Sequence, residues 1–355
     1  MNEAIDNSRK SASELISPNK RRLFFSLYIL FVLLLLGIGY EVVLYFGYGV
    51  KPGEPFTEDH IWRNYYPELW KSGVLDAEIS RDDESFDVLL LGASVMEQLE
   101  GEFARKLKES LDRPVRVFSL AKSAHTSRDS YFKMKRLREK PFDLIVVYHG
   151  INDVRMNCCP KKLFKEDYTH CEWYSGLQRR LDAKSFMLPL SAMSISGDKI
   201  PLQAPTEEYL DFGNEIKTEK SFRQNMEAIV AFSEESNSPI LLSPFVYHIP
   251  QNYTREKYKA GELDYSNRKG SYKMEAENWG HPQNVARTID AHNKVIEQIS
   301  RKNVHVLLID LRETFPRNKS TFSDPCHLTK DGAEEFVEQM ISALKKSPSW
   351  KKIRS

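Results

Sequence analysis

The stretch Phe86-Asp-Val-Leu-Leu-Leu-Gly-Ala-Ser94 decides the fold. Its apolar side chains point to both faces, as in a strand buried on two sides, and Gly92 ends the run in a tight turn. Such a strand needs helices over both faces, so its neighbours should alternate between strand and helix. Val115-Arg-Val-Phe-Ser119 reads as a second strand and Phe142 to Tyr148 as a third, with helical spacing through Phe103 to Leu111 and Ser130 to Glu139. The alternation continues with a helix over Ser221 to Ser236, a strand over Pro239 to Val246, a helix over Val285 to Arg301, a strand over Val304 to Asp310 and a helix over Lys330 to Lys345. This pattern predicts an α/β fold with a mostly parallel sheet and right-handed crossovers.

Three segments at the ends of apolar runs carry the residue types of a hydrolytic site: Gly92-Ala-Ser94, Gly150-Ile-Asn-Asp153 and Asp324-Pro-Cys-His327. Ligands meet an α/β sheet at the carboxyl ends of its strands. A serine hydroxyl needs a neighbouring base, and an imidazole base needs a carboxylate to hold its tautomer. Ser94, His327 and Asp324 supply those groups, and the spacing of Asp324 and His327 lets the carboxylate reach the ring within one loop. Asn152 can offer an amide to a tetrahedral oxyanion, and Asp153 can hold the loop through backbone N–H groups. Each segment alone is also ordinary turn, cap or ion-pair chemistry.

Taken in order, the segments resemble the blocks of the SGNH (GDSL-type) hydrolases over about residues 85 to 345. Gly92-Ala-Ser-Val95 is similar to the first block, Gly150 to Asp153 matches the third, and Asp324 to His327 matches the last. The resemblance implies a three-layer α/β/α flavodoxin-like SGNH hydrolase fold. It implies Ser94 as nucleophile, His327 as base and then acid, and Asp324 as its orienting partner. The oxyanion donors would be Ser94 N–H, Ala124 N–H and Asn152. Ala124, in Ser119-Leu-Ala-Lys-Ser-Ala-His-Thr126, stands where the family's second block has glycine, Ala93 replaces the first block's aspartate, and no proline follows His327. His125, Thr126, His149 and Arg155 flank these blocks and are candidates for the substrate wall, with a structural ion pair the favoured alternative for Arg155. The implied chemistry calls for no metal or other cofactor.

Leu23 to Tyr40 is a run without a charged side chain, preceded by Lys20, Arg21 and Arg22 and followed by Glu41. Its length and flanks predict a single transmembrane signal-anchor over 23–45, with a cleaved signal peptide as the competing reading, residues 1–22 as a disordered cytoplasmic tail and the remainder extracytoplasmic. Residues 46–84 are a linker and lead-in, 85–345 the hydrolase-like domain and 346–355 a basic tail. With 51 basic residues against 50 acidic ones among 355, the global charge points to no nucleic-acid partner. The expected partners are the membrane and an acylated carbohydrate or lipid.

Two polar, aromatic-rich segments, about 157–219 and 249–281, interrupt the alternation and are lids, substrate walls or surface elaborations. The first contains Trp173, Tyr174 and Phe186, which would suit a lipid ester or a local core. Export favours disulfides, and bonds from Cys158 and Cys159 to Cys171 and Cys326 would tie the first insertion to the Asp324–His327 loop. Cys158, Cys159, His170 and Cys171 are also zinc-ligand types, but without a familiar spacing. The reading is a membrane-anchored serine esterase acting on acyl, including acetyl, esters of envelope carbohydrate. The alternatives are an O-acyltransferase with the same site, a lipid esterase or lysophospholipase, and a non-catalytic binding or assembly module.

Overall fold

Strands β1 (Phe86–Gly92), β2 (Val115–Ser119), β3 (Leu144–Tyr148), β4 (Ile240–Leu242) and β5 (Val306–Leu308) pair in the order β2-β1-β3-β4-β5, every pair parallel. The computed structural model describes residues 17–81, 83–183, 205–268, 272–348 and 350. The strand order is the flavodoxin-like doubly wound one, whose direction of winding reverses between β1 and β3. Helices of ten residues or more among the described residues are α1 (Pro18–Tyr48), α2 (Ser94–Lys108), α3 (Ser127–Leu137), α4 (Glu172–Asp182), α5 (Thr218–Glu235), α6 (Pro282–Lys302) and α7 (Lys330–Lys346).

The apolar run that announced β1 is buried at every residue. Side chains alternate between faces. Phe86, Val88 and Leu90 join Leu144, Val146 and Tyr148 of β3 under α2 and α7, through Met96, Leu99, Phe103, Phe336, Val337 and Met340. Leu89, Leu91, Ile145 and Val147, also buried, point the other way, and α3, α5 and α6 pack on one another to form the opposite layer. The result is three layers, α/β/α.

Local chemistry sets the ends. α3 begins at Ser127, ahead of the expected Ser130, because Thr126 and Asp129 close a capping box. α2 begins at Ser94 itself, directly after the β1 turn. β4 ends at Leu242 rather than Val246. Pro244 has no N–H for the ladder, and the Phe245 backbone pairs instead with the Asn293 side chain, N–H to Oδ1 at 2.6 Å and Nδ2 to carbonyl at 3.0 Å.

By internal packing the chain falls into two units, residues 1–64 with 179–194 and residues 65–178 with 195–355. The second holds the whole sheet. It also takes in Tyr66, whose hydroxyl donates to Asp129 at 3.0 Å, and Trp350, whose ring meets Phe86 at 6.2 Å. The first holds α1, 31 residues with a mean hydropathy of 2.5 over its most apolar 18-residue window. Ser17 caps its start and Gly49, in the left-handed region, ends it. At about 46 Å it is the one helix among the described residues long and apolar enough to cross a membrane.

Gly150 follows β3 where Phe245 folds over it. A Cβ there would lie 2.6 Å from the Phe245 Cβ, and Asn293 pins the Phe245 backbone. Gly150→Ala should therefore lower stability by about 1–3 kcal/mol, measured as a shifted urea midpoint at unchanged slope.

Candidate active site

β1 and β3 lie side by side with Gly92 opposite Tyr148. The residues that follow each strand are thus neighbours: Ser94 opens α2, and Asn152 lies in the helical turn Ile151–Val154. The third segment arrives 230 residues after the first and is tied to α2 by Gln98. Its Oε1 accepts from Leu328 N at 3.2 Å and its Nε2 donates to the Leu328 carbonyl at 3.3 Å. Ser323 adds a backbone N–H to the His327 carbonyl at 2.9 Å.

Held this way, His327 Nε2 lies 2.8 Å from Ser94 Oγ and His327 Nδ1 lies 2.7 Å from Asp324 Oδ2. Asp324 Oδ1 accepts from Cys326 N at 2.9 Å and His327 N at 2.8 Å, an Asx-type turn that aims the carboxylate at its own loop's imidazole. Met274 N donates to the second oxygen at 3.0 Å. Asp324 is fully buried and keeps its lone pairs occupied by these four donors.

Asn152 donates through Nδ2 to the His125 carbonyl at 3.0 Å and accepts at Oδ1 from the Trp279 indole N–H at 3.0 Å. An amide nitrogen carries two hydrogens, so one remains for a ligand. Ala124 adopts φ of +71°, the left-handed conformation that a glycine takes without strain. Among the described residues its N–H donates to no protein acceptor, and Ser94 N–H, at the first position of α2, has no partner within the helix. The loop that carries Ala124 stays beside α2 through Lys122 N to the Gly92 carbonyl at 3.3 Å and a bond from Ser123 Oγ to Glu97.

Behind this loop lies a closed polar cluster. Lys133, wholly buried, donates to the Leu120 carbonyl at 2.6 Å and to His125 Nδ1 at 2.8 Å and forms an ion pair with Glu68 Oε1 at 2.7 Å. Asp129 accepts from Thr126 N at 2.7 Å, Tyr174 OH at 2.6 Å, Tyr66 OH at 3.0 Å and the Trp173 indole at 3.1 Å. The expected substrate wall is therefore corrected. His125 faces Lys133 and Trp173, Thr126 caps α3 and meets Tyr174 OH at 2.6 Å, and His149 Nε2 pairs with Ser130 Oγ at 2.7 Å. Arg155 donates to the Ala124 carbonyl. All four side chains serve the protein's own interior.

Trp173 and Tyr174 likewise bond Asp129, so they are core rather than a lipid-facing wall, and Phe186 lies outside the described residues. Asp153 accepts from Ser127 N at 2.9 Å, Ser127 Oγ at 2.6 Å and Tyr168 OH at 3.0 Å, which locks the third block to α3.

The disulfide expectation is overturned, since all four cysteines are free thiols. Cys158 Sγ reaches the Trp279 carbonyl at 3.5 Å, Cys159 Sγ the Met156 carbonyl at 3.6 Å, and Cys171 packs with Met156, Tyr168 and Tyr174. Cys326 stays beside His327 Nδ1 at 3.4 Å. Burial raises every one of these thiols, Cys158 to about 12 and Cys159 and Cys171 to about 11. Among the described residues, the one group with metal-ligand atoms close together is Asp324, Cys326 and His327. Its aspartate and histidine atoms are already joined to each other, and the raised Cys326 thiol is a poor ligand.

The second insertion supplies what the sequence did not announce. Tyr272 stacks on the His327 ring at 4.3 Å between centroids and 13° between planes, Met274 reaches Asp324 and Trp279 reaches Asn152. An aromatic-rich loop after a strand was the available signal.

No family model matches the chain, and no curated protein does. Solved structures do. A GDSL-like lipase from Bacteroides thetaiotaomicron is 15% identical, with 80% of this chain and 98% of that one covered at a TM-score of 0.42. A lipase/acylhydrolase from Enterococcus faecalis is 14% identical over 73% and 95% at 0.37. An acetyl xylan esterase variant from Geobacillus stearothermophilus is 14% identical over 73% and 94% at 0.41. These likenesses are shallow, and the chemistry proposed below rests on this chain's own side chains.

Burial holds His125, His149 and His292 at about 3, with Lys133 adding to the depression of the first two. These rings stay neutral in the folded protein down to that pH, while the unfolded chain takes up protons below about 6.5. Stability should therefore fall as pH drops from 6.5 towards 3, by about 1.4 kcal/mol per ring per pH unit once the unfolded rings are charged. Asp153, raised to about 6 by burial, acts oppositely, since its folded form keeps a proton that the unfolded chain loses above about 4. Three rings outweigh one carboxyl. Unfolding at pH 5 and pH 7 should show a net loss at pH 5 that shrinks in His149→Gln.

Proposed function

We propose that this chain is a serine ester hydrolase of the SGNH type, held at a membrane by α1 with its α/β unit on the extracytoplasmic side. The observation that carries the reading is the continuous chain from Ser94 Oγ through His327 to Asp324, set beside a spare Asn152 amide hydrogen and the Ala124 N–H, unpartnered among the described residues. In this reading Ser94 Oγ attacks the ester carbonyl as His327 Nε2 takes its proton. The oxyanion meets donors fixed before the reaction, and the imidazolium, steadied by Asp324, returns the proton to the leaving alcohol. A water activated by the same imidazole then releases the acyl group from Ser94.

Lys20, Arg21 and Arg22 at the start of α1 support a cytoplasmic N-terminus. An anchored esterase on the far side would meet acylated carbohydrate of the envelope, acetyl esters included. A second reading, transfer of the acyl group to a sugar hydroxyl, is favoured by the Tyr272 ring lying on His327, because a covered imidazole disfavours attack by bulk water. Acetyl release from an acetylated glycan, with and without an acceptor sugar, separates the two.

With the full chain in detergent, Ser94→Ala should lower p-nitrophenyl acetate hydrolysis about a thousandfold or more and abolish fluorophosphonate labelling. Asn152→Ala should cost about a hundredfold in kcat. Labelling that persists in Ser94→Ala would remove Ser94 from the mechanism. Alkaline phosphatase fused after Asn64 should be active, and an inactive fusion would reverse the proposed topology.

A further inference from the structure

Ala124 holds a conformation that costs an L-residue energy, and nothing in its own side chain offsets that cost. Its neighbours do. His125 N donates back to the Lys122 carbonyl at 3.1 Å, Thr126 N is taken by Asp129, and the His125 carbonyl is taken by Asn152. The remaining group, the carbonyl of Ala124 itself, is taken by Arg155 Nη2.

Arg155 is an unusual choice for that task. It is only partly exposed, its Nε is buried without a hydrogen-bond partner, and among the described residues Asp129 and Asp153 attract its charge without an ion-pair contact. A partly buried guanidinium with no carboxylate in contact is costly to keep for packing alone. It also stands directly after the helical turn Ile151–Val154, so one short rigid piece carries both Asn152 and Arg155. Asn152 grips one peptide of the Ala124 loop and Arg155 grips the next.

We propose that Arg155 is the positioning residue of the oxyanion hole, holding Ala124 left-handed so that its N–H and the Asn152 amide stay aimed at one point. The residue stands in for the freedom that a glycine at 124 would have supplied. This rests on the reading of Ser94, His327 and Asn152 as a hydrolytic site, and it acts through Ala124 without touching substrate.

The test is a double-mutant cycle on the full chain in detergent, with p-nitrophenyl acetate as substrate and a thermal melt for each variant. Arg155→Met keeps the aliphatic bulk and removes the donor, Arg155→Lys keeps a donor, and Ala124→Gly removes the strain. Arg155→Met should lower kcat about thirtyfold with KM changed less than about twofold, and Arg155→Lys should recover most of that loss. In the Ala124→Gly background the same substitution should cost about threefold, because a glycine needs no clamp to remain left-handed. An unchanged kcat, a loss confined to KM, or equal factors in both backgrounds would overturn the proposal. Should Arg155→Met fail to fold, the cycle is read with Arg155→Lys in its place, with smaller factors and the same required inequality. Ser94→Ala is the control that separates the two readings: activity retained there overturns the site itself, whereas activity lost there with a flat Arg155 series overturns only the role of Arg155.

Discussion

The parallel pairing that sets Gly92 against Tyr148 is the constraint on which the site depends. In a doubly wound sheet the chain leaves adjacent strands in opposite winding directions at the switch point, and a crevice opens there. β1 and β3 flank it, so the segments that carry Ser94 and Asn152 leave the sheet side by side. A shift of one residue in this pairing would turn every buried side chain of β3 to the opposite face. The apolar burial of both strands on both faces thus holds the register, and the register holds the chemistry.

Everything else at the site is fastened from outside that crevice. Gln98 binds the His327 loop to the helix that Ser94 begins, and Asp153 binds the Asn152 turn to the helix that Thr126 caps. Lys133 and Asp129 then fix the two ends of the Ala124 loop. Burying a lysine and an aspartate is expensive, and their net worth to stability is small even when each is fully bonded. What such a network supplies is a single arrangement of the backbone it touches, because any alternative leaves a buried charge unpaired.

Much of this was legible beforehand, for identifiable reasons. Strand β1 and the alternation of strands and helices follow from local patterns of burial and turn chemistry, and the three block segments from residue type at the strand ends together with the family resemblance. The expected and observed β2 coincide at Val115–Ser119. Three features were illegible, and each depends on partners distant in sequence. Lys133 reads as a surface lysine on an amphipathic helix until Glu68, 65 residues earlier, is placed against it. The thiols suggested pairing from compartment alone, whereas their spacing in the fold is set by packing around Tyr168 and Trp279. The end of β4 was overextended because apolar character continues through Phe245 and Val246, although Pro244 has already broken the ladder.

The strap from Tyr272 to Trp279 shows why acceptor choice is a question about this insertion rather than about the triad. Its contacts with the site fall on His327, Asp324 and Asn152. Ser94 is only 7% exposed, and His327 only 3%. In the proposed reaction the strap stands beside the imidazole that serves both the ester and the attacking nucleophile. The Ser94, His327 and Asn152 arrangement is indifferent to whether that nucleophile is water or an alcohol, since both lose a proton to the same Nε2. Discrimination must come from the surface that admits them, and the Tyr272 ring over the imidazole forms part of that surface. One face of Tyr272 covers the imidazole, and the ring, 43% exposed, still offers solvent an aromatic surface of the kind a sugar ring can lie against.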